Sequence, residues 1–208
     1  MRENSASRGE ESMEVIMATN NEGKVREVRE ILKDTGIEIL SLKEAGIDID
    51  IEETGDSFEV NAAIKAETVR DLTNRVTIAD DSGLSIDFLD GAPGIYSSRF
   101  MGEDTSYDIK NAAILEKMKD VPEDKRGARF ICAMAIARPD SFTEIFNGVF
   151  EGRIAWEASG VNGFGYDPIF YVPEMGCTSA ELEADVKNAM SHRGKALRQA
   201  VEELKRMI

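Results

Sequence analysis

Residues 13–19 (MEVIMAT) are apolar at nearly every position and then stop abruptly at Asn20-Asn21-Glu22-Gly23-Lys24. Beyond this break Val25, Val28, Ile31 and Leu32 recur at helical spacing until Gly36, which predicts a strand running into a helix. Residues 37–42 and 47–51 are strand candidates, the second alternating isoleucine with aspartate. A helix is expected over about 57–72, with Phe58, Ala62, Val69 and Leu72 inward and Asp56 and Glu59 in capping-box register. Residues 76–79 (VTIA) form a β-branched run, expected to be buried on both faces and to deliver Asp80 and Asp81 at its tip. A strand-like pattern resumes over 84–89 and meets the turn cluster Asp90-Gly91-Ala92-Pro93-Gly94. Residues 104–118 read as a helix, and 128–137 and 142–155 as a long hairpin split by Pro139-Asp140-Ser141. Two helical segments, 179–189 and 191–208, close the chain; the last is amphipathic through Leu197, Ala200, Val201 and Leu204.

Residues 1–12 are polar, charged and patternless, and read as a disordered tail or an appended remnant ahead of a single domain over 13–208. With 208 residues, 42% of them hydrophobic, the chain can bury a core as one domain or two small lobes. No apolar run approaches the roughly 20 residues of a membrane helix, and no secretory pattern opens the chain. Cys132 and Cys177 lack metal-like spacing, which makes a reducing cytoplasm the simplest setting. A formal charge of -15 argues against an extended nucleic-acid surface. A single nucleotide is compatible with it, because that needs only a few local cations and a metal.

Several stretches carry candidate chemistry, each with a plainer reading beside it. Asp80 and Asp81 at a strand tip would suit a divalent cation such as Mg²⁺, yet Asp also caps turns well. Thr19 to Lys24 sits at a strand-to-helix junction, where backbone N–H groups and the Lys24 charge attract phosphate; simple capping by Asn explains the same residues. Only one glycine is present there and no Lys-Ser/Thr pair follows, so this is not a P-loop. Asn61 and Lys65 lie four apart on one helix face, and taken alone Lys65 reads as a solvated lysine. Glu53 is a third acid at the end of an apolar strand. Residues 160–168 (GVNGFGYDP) interleave three glycines with two aromatics, which fits either a tight turn or a stacking surface for a planar base. His192, the sole histidine, stands beside Arg193 at an expected helix start that Ser191 can cap.

These pieces occur together as MATNNEGK, EETG, NAAIKA, ADDSGL, GAPGIYSSR, GFGYDPIF and SHRGKAL, in that order. On them the chain closely resembles the inosine triphosphate pyrophosphatase family over residues 13–208. The resemblance implies an α/β fold with a long twisted mixed sheet, flanked by helices, and two lobes with the nucleotide in the cleft between them. It also implies a homodimer that uses Mg²⁺ to hydrolyse ITP, dITP and XTP to the monophosphate and pyrophosphate. Thr19, Asn21 and Lys24 match its phosphate-contacting motif, with Asn20, Glu22 and Gly23 alongside. Glu53 matches the metal-binding glutamate, and Asp81 the metal ligand and proton acceptor, with Asp80 in support. Ser82, Phe164, Gly165, Tyr166, Asp167, Lys187, His192 and Arg193 match its remaining substrate contacts. The chain departs from the family at Val60, where many members have glutamate, and at Asn20, commonly glycine.

The implied chemistry is coherent on its own terms. A cation held by Glu53 and Asp81 would neutralise the triphosphate, Lys24 would hold the leaving pyrophosphate, and Asp81 would take the proton from water. His192 and Arg193 would donate to the 6-oxo group that marks inosine and xanthine, leaving adenine's amino group facing donors. Two rival readings remain open: a phosphatase using Asp80 or Asp81 as a covalent nucleophile, and a nucleotide-binding module without turnover.

Overall fold

The computed structural model describes residues 12–207, so the expected tail, apart from Ser12, lies outside the described residues. Among these residues one mixed sheet has seven strands in the order β2-β1-β3-β4-β5-β6-β7. β1 (Met13–Met17) pairs in parallel with both β2 (Ile37–Ser41) and β3 (Thr77–Ile86). Parallel neighbours need crossovers, and α1 (Glu22–Leu32) and α2 (Phe58–Thr73) lie in them. β4 (Gly127–Ala137) and β5 (Glu144–Ile154) form the expected hairpin and continue the sheet antiparallel. The short β6 (Phe170–Val172) and β7 (Cys177–Thr178) complete it. The fold is α/β, as the resemblance implied.

Strand alternation decides which helix each side chain meets. Val15, Met17 and Ile78 join Val25, Val28, Leu197 and Ala200 on one face, beneath α1 and the C-terminal helix α5 (His192–Lys205). Ile16, Ala18 and Ala79 point the other way, onto Ala62, Ala66 and Val69 of α2. A third cluster gathers Leu84, Phe130 and Phe170 with Ile114 and Met118 of α3 (Tyr107–Met118). Each fully buried leucine or isoleucine contributes about 1.5–3 kcal/mol, so the sheet is anchored from both sides around β3. α4 (Ala184–Met190) leads directly into α5.

The largest correction concerns β3. It does not stop at residue 79: the ladder with β4 runs unbroken from Thr77 to Ile86, so Asp80 and Asp81 lie in mid-strand and not at a tip. The strand-like pattern over 84–89 is the end of this same strand, followed by a 3-10 turn at Asp87–Leu89. Residues 47–51 keep their alternating burial but belong to no ladder, so Glu53 ends an unpaired extended segment and not a strand. α2 is capped by Ser57, whose side chain accepts from the Val60 N–H at 3.3 Å, which displaces the Asp56–Glu59 capping box. Leu72, expected inward, is exposed, because the inward stripe of α2 through Ala62, Ala66 and Val69 passes next to the half-buried Thr73. The expected helix over 104–118 starts only at Tyr107, and the segment 179–189 splits into a 3-10 turn (Ser179–Glu181) and α4.

Candidate active site

Mid-strand placement gives the two aspartates different surroundings. Asp81 shares the α2 face with Ala79, and α2 presents Asn61 and Lys65 to it from one helix face. Asn61 Nδ2 donates to Asp81 Oδ2 at 3.2 Å, and Lys65 Nζ lies 3.3 Å from Asp81 Oδ1. The same ammonium is 2.5 Å from Glu53 Oε1, and Arg99 Nη1 is 3.2 Å from Glu53 Oε2. Lys65 is therefore not a solvated lysine: it is buried and shared between carboxylates. Burial works against its charge, but Asp81, Asp80 and Glu53 outweigh burial and raise its pKa. Asp81 fares worse. Burial raises its carboxyl above the ordinary value, Glu53 and Asp80 add to this, and Lys65 and Lys24 only partly offset it.

Asp80 points to the opposite face and is sealed from solvent. Its Oδ2 receives Arg193 Nε and Nη2 at 3.1 and 3.0 Å, Ser82 Oγ at 3.0 Å, and Lys24 Nζ at 3.1 Å. Burial alone would raise its pKa, but Lys24, Arg193 and Lys65 hold it well below the usual carboxylate range. Arg193 continues the network through Nη1 to Glu27, and Glu27 Oε1 accepts from Lys187 Nζ at 2.9 Å. Lys187 Nζ then reaches Asp167 Oδ2 at 2.6 Å, and that oxygen also accepts the Phe164 N–H at 2.8 Å. Five charged side chains from β3, α1, α4, α5 and the 163–167 loop are thus joined in one buried chain of alternating sign.

A cavity of about 740 Å³ opens over these networks, within the range of small-molecule sites. Thr19, Asn20, Asn21 and Lys24 line it beside Glu53, Asp81 and Ser82. Phe164, Gly165, Tyr166 and Asp167 line it with Lys187, His192 and Arg193. Glu22 and Gly23 do not. Asn21 caps α1, its Oδ1 taking the N–H groups of Gly23 and Lys24 at 2.9 and 3.2 Å. Those two amides are therefore already engaged by the cap.

His192 stacks on Phe130, with centroids 4.9 Å apart. Its Nδ1 is sealed and lacks a partner, so the cavity meets the ring at its other edge. Burial first, then Arg193 and Lys187, push its pKa well below the ordinary value, and the ring is neutral at pH 7.

A sequence profile of the Ham1 family matches residues 15–203. The chain belongs to the Ham1 family. Among its relatives, the dITP/XTP pyrophosphatase of Photorhabdus laumondii is 47% identical over 193 residues, covering 92% of this chain and 98% of that protein. That of Bacillus licheniformis is 48% identical, covering 89% and 94%. The solved Ham1 proteins of Coxiella burnetii and Staphylococcus aureus superpose with TM-scores of 0.84 and 0.82 at 42% and 39% identity. They cover 93% and 94% of this chain, and 99% and 100% of their own.

Two residues of this Ham1 site escaped the sequence reading. Glu27 is one turn after Lys24, beside the apolar stripe of α1; an acid so close to that stripe was the available signal. Arg99 stood inside GAPGIYSSR without a role. It reaches Glu53 because Gly83 lets the 94–99 turn lie on β3: a Cβ at Gly83 would meet Gly94 O at 2.3 Å and Ser97 Oγ at 2.5 Å. The donor set also fits a magnesium ion. Glu53 and Asp81 are oxygen donors that line the cavity and converge on a single cationic group. No group of three or more metal-ligating side chains forms among the described residues; Mg²⁺ needs only one or two carboxylates where water and phosphate complete its shell.

Proposed function

We propose that this protein hydrolyses the triphosphates of deaminated purines, ITP, dITP and XTP, to the nucleoside monophosphate and pyrophosphate. The observation that carries the reading is Asp81, a cavity-lining carboxylate fixed by Asn61 and Lys65 and left incompletely neutralised. Its relatives' names, dITP/XTP pyrophosphatase, support the same reaction. Mg²⁺, when held by Glu53 and Asp81, would neutralise phosphate charge and favour attack at phosphorus.

The chain's own residues account for the rest. Asp81 accepts the proton of the attacking water. Lys65 and Asn61 hold that carboxylate in one orientation. Lys24 and Arg99 are cations at the cavity for phosphate oxygens. Phe164 offers its ring to the base. Of the two donors expected at the 6-oxo group, Arg193 has every guanidinium nitrogen engaged by Asp80, Glu27 or Ser82. His192 therefore takes the larger share of that contact. Asp80 is a poor covalent nucleophile, because it is sealed and already bridges two cations.

Hydrolysis of ITP in oxygen-18 water tests the reading. The label is expected in inosine monophosphate, with pyrophosphate released; inosine diphosphate and orthophosphate as main products would overturn it. Two free thiols fit a cytoplasmic setting, no helix among the described residues is long and apolar enough to cross a membrane, and light scattering tests the implied homodimer.

A further inference from the structure

Three consecutive residues of the 94–99 turn tie together parts of the cavity that are otherwise separate. Ser97 O accepts the Tyr166 hydroxyl at 2.7 Å, while Ser97 Oγ accepts the Leu84 N–H of β3 at 2.9 Å. Ser98 O accepts Lys110 Nζ of α3 at 2.6 Å. Arg99 then pairs with Glu53 at 3.2 Å. Tyr166 belongs to the loop beside Phe164, and its ring is buried edge-on against Tyr107, with centroids 5.1 Å apart. The hydroxyl thus faces away from any stacking position and holds the turn that carries Arg99. The loop is also held by Lys187 on Asp167, which leads to Glu27 on the opposite face of the sheet, by Ser179 Oγ on Asp167 Oδ1 at 2.7 Å, and by Asn111 Nδ2 on Gly165 O at 3.1 Å; none of these three donors bonds to Glu53 or Arg99.

We infer that Tyr166 is a positioning residue: through Ser97 and Arg99 its hydroxyl couples occupancy of the base-side loop to the cation affinity of Glu53. The inference rests on the function proposed above. A base settling on Phe164 orders the 163–167 loop. Tyr166 passes that order to Ser97, and Arg99, two residues on, sets how freely the Glu53 carboxylate can turn to a metal. Coupling of this kind is a free energy shared by both ligands, so it must be reciprocal.

The test uses inosine, which carries base and sugar but no phosphate to touch a metal, and Mn²⁺ as the cation probe. Calorimetry on the full chain should show inosine tightening Mn²⁺ binding about fivefold, and Mn²⁺ tightening inosine by the same factor. In Tyr166→Phe the ring stays, and the coupling, read as the ratio of each ligand's affinity with and without the other, falls to near one. Arg99→Met cuts the other end of the link and should also remove the coupling, with no further loss in the double variant. It keeps the inference testable should Tyr166→Phe fold poorly. Full coupling retained in either variant overturns the inference. Wild-type protein that hydrolyses ITP yet shows no coupling overturns it and leaves the proposed function standing; failure to hydrolyse ITP as well overturns both.

Discussion

Asp80 and Asp81 are neighbours of identical chemistry, yet their carboxyls are driven in opposite directions. Asp80 faces α1 and α5, touches Lys24 and Arg193, and is held well below the usual range. Asp81 faces α2, shares one ammonium with Glu53, and is raised. One step along a continuous strand separates a carboxylate sealed among cations from one that lines the cavity, because β alternation sends them to different helices. On the Asp80 side cations and carboxylates pair off one for one, with every donor on Asp80 Oδ2 and Oδ1 sealed without a partner. On the Asp81 side Arg99 reaches only Glu53, and Lys65 is shared between Glu53 and Asp81, so Asp81 has no cation to itself; a metal or a phosphate-bearing substrate can use that.

The sharpest break of this comparison is Asp81→Asn, which should keep the fold and lower kcat for ITP by about 10²–10⁴-fold. Wild-type turnover by this variant would show that another group takes the proton.

Asp80→Asn should do the reverse, damaging stability first. Removing one partner of a buried ion pair costs about 3–5 kcal/mol, and here Arg193 and Lys24 both lose their carboxylate. The depressed pKa means that the stabilisation by Asp80 is present above its ordinary value of 3.8 and is lost as pH falls through the lower folded value. Urea midpoints of wild type and variant should therefore differ most at neutral pH and converge in acid below 3.8. A constant gap across that range would show that Asp80 acts through packing and not through its charge.

Phe164→Ala tests the base side with a smaller effect. Lys187 Nζ and the Arg193 guanidinium lie 5.3 and 5.6 Å from the Phe164 ring centroid, and the ring packs against Gly23. Loss of base stacking should weaken every purine triphosphate by a similar amount, about 1–3 kcal/mol read as KM. A change confined to ITP, sparing ATP, would make Phe164 a selector and not a platform.

How much of this was legible in the sequence depended on the range of the interaction. β1, α1, the β4–β5 hairpin and α5 followed from local periodicity, and Asn21 and Ser191 cap as their positions suggested. β3 was misread because Asp-Asp-Ser-Gly looks like a turn; the ladder with β4 and the cations from three helices override that local preference. Residues 47–51 show the converse, with strand alternation but no ladder partner. Lys65 was undervalued because helical spacing reveals which residues share a face and not what the face meets. Glu27 and Arg99 needed tertiary contacts 166 and 46 residues away along the chain, which no local pattern encodes.

The smallest predicted effect isolates His192, which stands among Arg193, Lys187, Lys24 and Asp80. Burial against Phe130 and three nearby cations outweigh Asp80 and keep the imidazole neutral. In the unfolded chain the same ring takes up a proton near its ordinary value of 6.5. Below that value the unfolded state binds one more proton than the folded state, so stability must fall as pH falls, by about 1.4 kcal/mol per pH unit. Above it the ring is neutral in both states and contributes no slope. His192 is the sole histidine in the chain, so His192→Asn should remove this slope while leaving that of the carboxylates. The quantity to measure is the difference in urea-unfolding free energy between the two proteins from pH 7.5 to 5.5. It should be flat down to about 6.5 and then change by about one proton's worth per unit. A difference that stays flat to pH 5.5 would mean that the folded protein accepts a proton on His192. The ring would then meet the 6-oxo group as a cation, and base selection would strengthen in acid instead of staying constant.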